Sequence, residues 1–412
     1  MKRSVLLLVQ NLPVPQDRRF WMEAEALKHN GFKVTVISPR KPGQKKSEKL
    51  AGIQIYRYLR PPQSNGWLGY IFEYSYSLFW SFYLSLKVAV TQGFSIIQAA
   101  NPPDLFFLIA SFYKLFGVSF VFDQHDLVPE MFLCKFSKSR KHPVYKLLCF
   151  LEGLSLKICD VHLATCVSGQ QFVQKRQKIE CPSVVVRSAP DLAKLNTNKV
   201  NPEIEKKVEK LKRKFKYLGV YLGVMGPQDG VDKLLRSIRF IVHDLKRKDI
   251  GFVLMGEGDD LERLKIMAQK FRIERQVVFT GWADQQAITA YFSQADLGLM
   301  PEPKNDYTDN SLHNKILEYM AFGLPILAYD LKELRLNTKR AAVYVKDDDE
   351  KRYAKIAVKL LDSPQLRKEM GNFGKQRMEL ENFKWEASVE ELLKAYEYLM
   401  VEKAEVHKVE SL

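Results

Sequence analysis

Three stretches of this chain combine residue types that bind phosphate and move protons. In residues 301–325 (PEPKNDYTDNSLHNKILEYMAFGLP), a loop dense in Asn, Asp, Ser and Thr follows an apolar run ending at Met300. It enters a helical pattern whose first turns carry Asn314, Lys315 and Glu318. Such a loop sets backbone N–H groups and the positive end of a helix dipole at the carboxyl edge of a sheet, where α/β proteins hold phosphates. Lys315 adds a full positive charge suited to a pyrophosphate, and Glu318, about one turn on, can accept hydrogen bonds from a ribose diol. A solvated loop entering an ordinary helix satisfies the same spacing, so residue types alone leave both readings open. In the second stretch, Phe122-Asp123-Gln124-His125-Asp126-Leu127-Val128-Pro129-Glu130, a His-Asp pair directly follows a strand pattern. That is where a Rossmann-like sheet presents reactive groups, although an isolated histidine is more often structural. In the third, Gln10 to Arg19, the loop after the first strand carries Asp17, which favours a helix start, and Arg18, the candidate contact for a substrate phosphate. No metal is expected. The five cysteines, at 134, 149, 159, 166 and 181, lack C-x-x-C spacing and a matching histidine cluster. Neither a zinc site nor a disulfide framework is legible, and a reducing cytosol is the simplest setting.

Positioning these residues requires strands whose ends meet at one edge, and the hydrophobic pattern supplies them. Apolar runs at 4–9, 33–38, 53–57, 95–99, 118–123, 161–165 and 183–187 alternate with amphipathic stretches, the first of them a helix over 18–30 closed by Gly31. Ser188-Ala189-Pro190-Asp191 breaks the pattern, and 194–216 is charged and poor in strand signals. A second series follows, with strands at 217–223, 251–255, 277–280, 296–300, 325–329 and 342–345. Its helices fall at 230–245, 259–271, 285–294 and 312–322, before a helical tail over about 350–405. The class is α/β, with two Rossmann-like parallel-sheet domains, a boundary at 190/191 and a cleft between them.

Composition bounds the rest. A chain of 412 residues, 46% apolar and 12% aromatic, can build two or three cores and excludes collagen-like, disordered and small disulfide-stapled classes. The most apolar stretch, about 66–116, is interrupted by Glu73, Lys87, Asp104 and Lys114, so no uncharged run reaches the ~18–20 residues of a spanning helix. Met1-Lys2-Arg3 precedes an apolar run, Val5–Val9, that is too short for a signal sequence and reads as a first strand. A soluble or membrane-peripheral chain is expected. The net charge of +16 is uneven: residues 1–190 hold 25 basic and 12 acidic side chains, and 191–412 hold 39 and 36. Thirteen of the sixteen excess charges therefore sit in the first half. That half also carries nine aromatics between 67 and 83 (Trp67, Tyr70, Phe72, Tyr74, Tyr76, Phe79, Trp80, Phe82 and Tyr83) and five basic residues in 132–146. Core packing and a solvated face are the ordinary readings of such segments. Together they also suit a helix at an anionic membrane surface. Neither carries the side-chain code of a nucleic-acid module, so no nucleic-acid partner is expected.

Residues 301–325 resemble the nucleotide-sugar site of the family-4 retaining glycosyltransferases, which have the GT-B architecture of two Rossmann-like domains flanking a cleft. Their signature is Glu, seven residues, Glu, with the second Glu opening a helix similar to E-[AY]-M-A-x-G-x-P. That second Glu matches Glu318 in Glu318-Tyr319-Met320-Ala321-Phe322-Gly323-Leu324-Pro325. The first falls on Asn310, where an amide can still contact a sugar but not as a carboxylate. Gly256-Glu257-Gly258-Asp259, Phe279-Thr280-Gly281-Trp282 and Ala295-Asp296-Leu297-Gly298-Leu299 resemble further family segments in the same order. His125-Asp126 resembles the H-D-x-x-P-E segment, whose His lies beside the donor sugar. A second departure is Gly223-Val224-Met225-Gly226-Pro227-Gln228-Asp229-Gly230, with Val224 and Asp229 where many members carry Arg and Lys. This form resembles a sub-branch of capsule, exopolysaccharide and O-antigen assembly.

The resemblance implies catalytic roles for His125, Asp126 and Lys315. It implies substrate binding by Asn310, Ser311, Asn314, Glu318, Gly226, Gln228, Arg18, Glu257 and Trp282. The expected reaction moves a sugar from a nucleoside diphosphate sugar, a co-substrate used without cofactor or metal, to a glycan or lipid-linked acceptor with retention. The second domain, 191–385, would hold the donor, and a last helix within 386–412 would cross back to the first domain and fray at its end. The expected location is the cytoplasm, peripheral on the cytoplasmic face of a membrane. A sugar-nucleotide epimerase and a non-catalytic membrane-docked homologue remain as alternatives, and the oligomeric state is open.

Overall fold

The computed structural model describes residues 3–60, 67–190, 201–380 and 383–410. The chain divides into two compact units. Unit 1 comprises Met1–Leu133, Lys138–Ser188 and Ser388–Leu412, and unit 2 comprises Cys134–Ser137 and Ala189–Ala387. The expected boundary at 190/191 adjoins 191–200, which lie outside the described residues.

Unit 1 is built on eight strands: β1 Ser4–Leu8, β2 Lys33–Arg40, β3 Ser47–Leu50, β4 Ile53–Leu59, β5 Ile96–Ala100, β6 Ser119–Gln124, β7 Val161–Ala164 and β8 Ser183–Val185. They lie in the order β3-β4-β2-β1-β5-β6-β7-β8, every pair parallel except β3 and β4. The central strands β1, β5 and β6 are buried along their whole length, which is why they read as unbroken apolar runs rather than alternating ones. β3 is absent from the sequence-level pattern for the opposite reason. Its residues Ser-Glu-Lys-Leu lie on an exposed edge with no apolar face to bury, and a turn through Ala51 (φ 48°) and Gly52 (φ 79°) folds it back on β4.

Unit 2 carries six parallel strands: β9 Tyr217–Leu222, β10 Ile250–Met255, β11 Val277–Gly281, β12 Leu297–Met300, β13 Ile326–Tyr329 and β14 Ala342–Val345, in the order β11-β10-β9-β12-β13-β14. Alternate residues feed its two cores. Val220, Val253, Met255 and Met300 pack with Tyr319 and Met320 on one face, and Phe252, Leu254, Leu299 and Leu327 pack with Leu235 and Tyr353 on the other. Among their parallel strands each sheet reverses order once, between β1 and β5 in unit 1 and between β9 and β12 in unit 2. Crevices at the carboxyl ends of such switch points are where α/β sheets hold ligands.

Three helical expectations shift. The segment 230–245 is an α-helix over Val231–Arg239 followed by a π turn, Phe240–Asp244. The helix expected from 312 begins at Lys315, because Asn305 caps a separate turn, Asp306–Asp309. The tail is three helices, Glu350–Leu361, Pro364–Leu380 and Trp385–Glu410, with Pro364 starting the second. The last returns to unit 1: the Tyr396 ring packs edge-on at 5.2 Å against Phe32, and its hydroxyl donates to Gln98 Oε1 at 2.5 Å.

Candidate functional sites at the two switch points

In unit 2 the loops after β9 and β12 flank the switch point. Lys315, the first residue of the helix Lys315–Phe322, is buried, ion-paired with Glu302 and set 4.1 Å from the Tyr221 ring centroid. Glu302 belongs to the Pro301-Glu302-Pro303 loop leaving β12; its Oε2 is buried without a hydrogen-bond partner. Tyr221, near the end of β9, donates its hydroxyl to Val224 O at 2.7 Å and so shapes the loop that follows. Gly223 (φ 155°) leaves room for the ammonium, since a Cβ there would lie 2.9 Å from Lys315 Nζ. The sequence pattern marked Lys315 but not Glu302, whose only signal is a carboxylate at a strand's carboxyl end.

Asp229, the acidic departure, is turned into its own loop, where Oδ2 accepts the Gly226 N–H at 2.9 Å. That contact commits the Gly226 N–H internally, so this amide is not a free donor for a phosphate. Val224 is exposed at the loop tip, and Gln228 Oε1 is buried without a partner. The loop after β10 is zipped to the loop after β9 by Gly223 N–H to Met255 O, Met225 N–H to Glu257 O and Asp260 N–H to Met225 O, each at 3.0 Å. Gly256 (φ 140°) is required there, because a Cβ would lie 1.8 Å from Gly223 O. Glu257 is exposed and accepts the N–H of Trp282, itself exposed, at 3.3 Å.

Asn310 is buried and donates from Nδ2 to Asp306 O at 2.8 Å; Ser311 Oγ donates to Tyr307 O at 2.7 Å. Asn314 precedes Lys315, exposed and without a side-chain cap bond to the helix, and Glu318 is buried on that helix's first turn. Lys315, Glu318 and Asn314 therefore share one helix end, while Glu257 and Trp282 lie on the loops after β10 and β11.

Of the two adjacent arginines after β1, the buried one is Arg19, not Arg18. The helix Arg18–His29 buries Arg19, Phe20, Glu23, Ala24 and Leu27 and leaves Arg18 exposed. Arg19 Nη1 donates to Val186 O at 2.6 Å and Ser188 Oγ at 3.1 Å, and Nη2 lies 3.0 Å from both Asp123 Oδ1 and Glu23 Oε1. The signal that finds it is the i, i+4 pair Arg19 and Glu23 on the apolar face of a helix. Asp17 caps that helix, accepting the Phe20 N–H at 3.1 Å.

His125 Nε2 lies 2.9 Å from Asp123 Oδ2 and 3.1 Å from Arg19 Nε. One nitrogen cannot donate to the first and accept from the second. The charges favour donation to Asp123: burial would lower the His125 pKa, but the Asp123 carboxylate outweighs it and the net shift is upward. Burial would raise Asp123, yet His125 and Arg19 hold it well below the usual carboxylate range. Asn101, after β5, fixes the loop: its Oδ1 accepts the N–H of His125 (2.7 Å) and of Asp126 (3.0 Å), and its Nδ2 donates to Asp126 O (2.8 Å) and Asp104 Oδ1 (3.0 Å). Glu23, Asp123 and His125 offer three ligand atoms within 4.8 Å of one another. The Arg19 guanidinium already lies between the two carboxylates, so this cluster does not fit a metal ion.

Burial pushes both Glu23 and Asp104 up to about 8. A native pKa above the unfolded one means that the folded state holds the extra proton, so stability falls as pH rises from the ordinary carboxylate range through about 8. Within that window each group lowers stability as it is made to ionise in its buried site. Asp123 acts in the opposite sense, adding stability above the unfolded carboxylate pKa and losing it as pH falls. The melting temperature of unit 1 is therefore expected to peak at mildly acidic pH and decline toward pH ~9, and Glu23→Gln should flatten the decline. An unchanged slope in calorimetry of that variant would remove Glu23 from the account.

Comparison with known proteins adds to this geometry. Residues 216–363 match the family model described as glycosyl transferases group 1. An uncharacterized glycosyltransferase of Methanocaldococcus jannaschii is 29% identical over 199 residues, 48% of this chain; the match spans about half the length of that relative, 48%. Among solved structures, sucrose-phosphate synthase from Thermosynechococcus elongatus superposes with a TM-score of 0.79 at 15% identity, over 97% of this chain and 99% of that one. Anabaena HepE, solved in complex with UDP-glucose, gives 0.71 at 13% identity, over 96% and 99%. The two parallel-sheet units are those of the GT-B fold. The domain match and the fold together support a glycosyltransferase of the GT-B type.

Proposed function

We propose that the protein transfers a sugar from a nucleoside diphosphate sugar to a glycan or lipid-linked acceptor with retention of configuration, as in the family-4 branch serving surface polysaccharide assembly. The observation that carries this reading is the buried Lys315, held by Glu302 and Tyr221 at the start of an uncapped helix beside the unit 2 switch point, with Glu318 on the same helix turn. Lys315 and the helix N–H groups meet the diphosphate, and Glu318 meets the ribose. That Anabaena HepE binds UDP-glucose supports a nucleotide-sugar donor. No protein base is required, because a donor phosphate oxygen takes the acceptor proton as the leaving bond opens on the same face. Catalysis then consists of positioning and stabilisation of the leaving diphosphate. His125, oriented by Asn101 and Asp123, is the candidate catalytic group of unit 1. The exposed Val224 and inward-turned Asp229, in place of two cations, favour one second reading, a homologue weakened in catalysis. Donor hydrolysis measured across a panel of nucleotide sugars tests both. Turnover with one donor supports the first reading, and absence of any nucleotide-sugar binding by thermal shift removes it.

We place the protein peripherally on an anionic membrane through unit 1. Among the described residues no helix is long and apolar enough to cross a membrane. Phe72, Phe79, Tyr83, Leu86 and Val90 are nonetheless exposed along one stripe of the helix Trp67–Thr91. Phe112, Leu115 and Phe116 are exposed on the neighbouring helix Phe107–Lys114 and just past its end; Phe82 and Phe112 rings meet at 5.3 Å. Both helices are crossovers running in the same direction across the sheet, which puts them on one face. Trp67 and Tyr70 lie outside the residues whose side chains are described. Binding to anionic vesicles is expected to fall several-fold between low and high salt and to weaken in Phe79→Ser, with neutral vesicles binding less. Equal binding to neutral vesicles at every salt concentration would sink this placement.

A further inference from the structure

Two of the five cysteines meet. Cys159 closes the helix Pro143–Ile158 and precedes β7; Cys181 precedes β8, and the parallel register pairs His162 with Ser183. The two thiols therefore sit at the same end of adjacent strands, with Sγ atoms 3.3 Å apart. Cys159 is buried, whereas Cys181 is only partly so. Forming a disulfide requires the sulfurs to close by about 1.2 Å, a small adjustment for two side chains that already face each other. The linkage would tie down β8, a three-residue edge strand held to the sheet on one side only.

We propose that Cys159 and Cys181 form a thiol–disulfide exchange site whose co-reactant is a low-molecular-weight disulfide of the glutathione class. The Cys181 thiolate attacks one sulfur of the small disulfide, whose other half leaves as thiolate, giving a mixed disulfide on Cys181. Cys159, deprotonated, then attacks the Cys181 sulfur, forming the internal disulfide and expelling the second small thiolate. The protein loses two electrons and two protons, and the small disulfide becomes two thiols. The roles follow from access, since the partly exposed sulfur meets the reagent and the buried one resolves it. Electrostatics agree: the hydrogen bond between the thiols draws the Cys181 pKa down and pushes that of Cys159 up. Lys114 and Asp160, adjacent to Cys159, pair with each other at 2.5 Å.

The test uses the full chain, incubated natively with oxidised glutathione across a series of redox ratios, then denatured, alkylated and mapped by mass spectrometry. The expected result is a Cys159–Cys181 cross-link, two of the five thiols lost to alkylation, full recovery with dithiothreitol, and a higher melting temperature for the oxidised form. Cys159→Ser should stop at glutathione on Cys181 with no such rise. The proposal is overturned if all five thiols stay alkylatable at the most oxidising ratio. It is equally overturned if glutathione accumulates on the wild-type protein, at Cys181 or elsewhere, without the internal cross-link.

Discussion

Lys315→Ala is expected to lower transferase turnover at saturating donor by about 10²- to 10³-fold, the usual cost of removing one group that stabilises developing charge. The same substitution strands Glu302, buried with one oxygen unpartnered, and breaking a buried pair costs about 3–5 kcal/mol. A loss of activity could then reflect a loosened unit 2 rather than a missing cation. The double variant Lys315→Met, Glu302→Gln separates the two, because removing both charges together restores much of the stability without restoring the ammonium. We expect its melting temperature to return toward wild type while turnover stays low. Recovery of turnover in the double variant would mean that Lys315 holds the loop after β12 and does not act on the leaving group.

Arg19→Leu is expected to destabilise unit 1 by about 3–5 kcal/mol, because it leaves the Asp123 carboxylate buried without its guanidinium partner and removes a donor from Glu23 and from the Val186 carbonyl. Arg18→Ala, one residue away, should change stability by less than about 0.5 kcal/mol, since its side chain lies on the exposed face of the same helix. The contrast, read by denaturant unfolding, checks the assignment directly. Similar losses for both variants would contradict the burial pattern of this helix. Arg19→Leu should also move the titration of His125, followed by NMR, because the guanidinium no longer shares the Asp123 carboxylate with it.

Much of the scaffold was legible because its signal is local. Continuous apolar runs mark strands buried on both faces, and Gly31 and Ser188-Ala189-Pro190 mark where elements stop. β3 escaped the pattern because an exposed edge strand buries nothing. The helix start at Lys315 escaped because Asn305 organises a separate turn ahead of it. Within the two candidate sites, the stretch around Lys315 and Glu318 in unit 2 and the His125-Asp126 pair in unit 1 were marked by residue type at strand ends. Glu302 and Asn101 were not, because each acts through a partner distant in sequence: Glu302 on Lys315, and Asn101 on the His125-Asp126 loop.

The sequence by itself determined the α/β class, the two alternating series and the loops that end at each sheet's carboxyl edge, since periodicity and chain breaks are properties of neighbours along the chain. Only the tertiary structure decided which charges meet partners inside each unit. It put Arg19 rather than Arg18 among buried carboxylates and gave Lys315 a buried counter-ion. It also turned Asp229 onto Gly226 and set Cys159 against Cys181, though neither cysteine spacing nor a histidine cluster announced them. The reason is physical: pairing of a buried charge or thiol depends on which strands lie side by side, and strand order is settled by packing across the sheet.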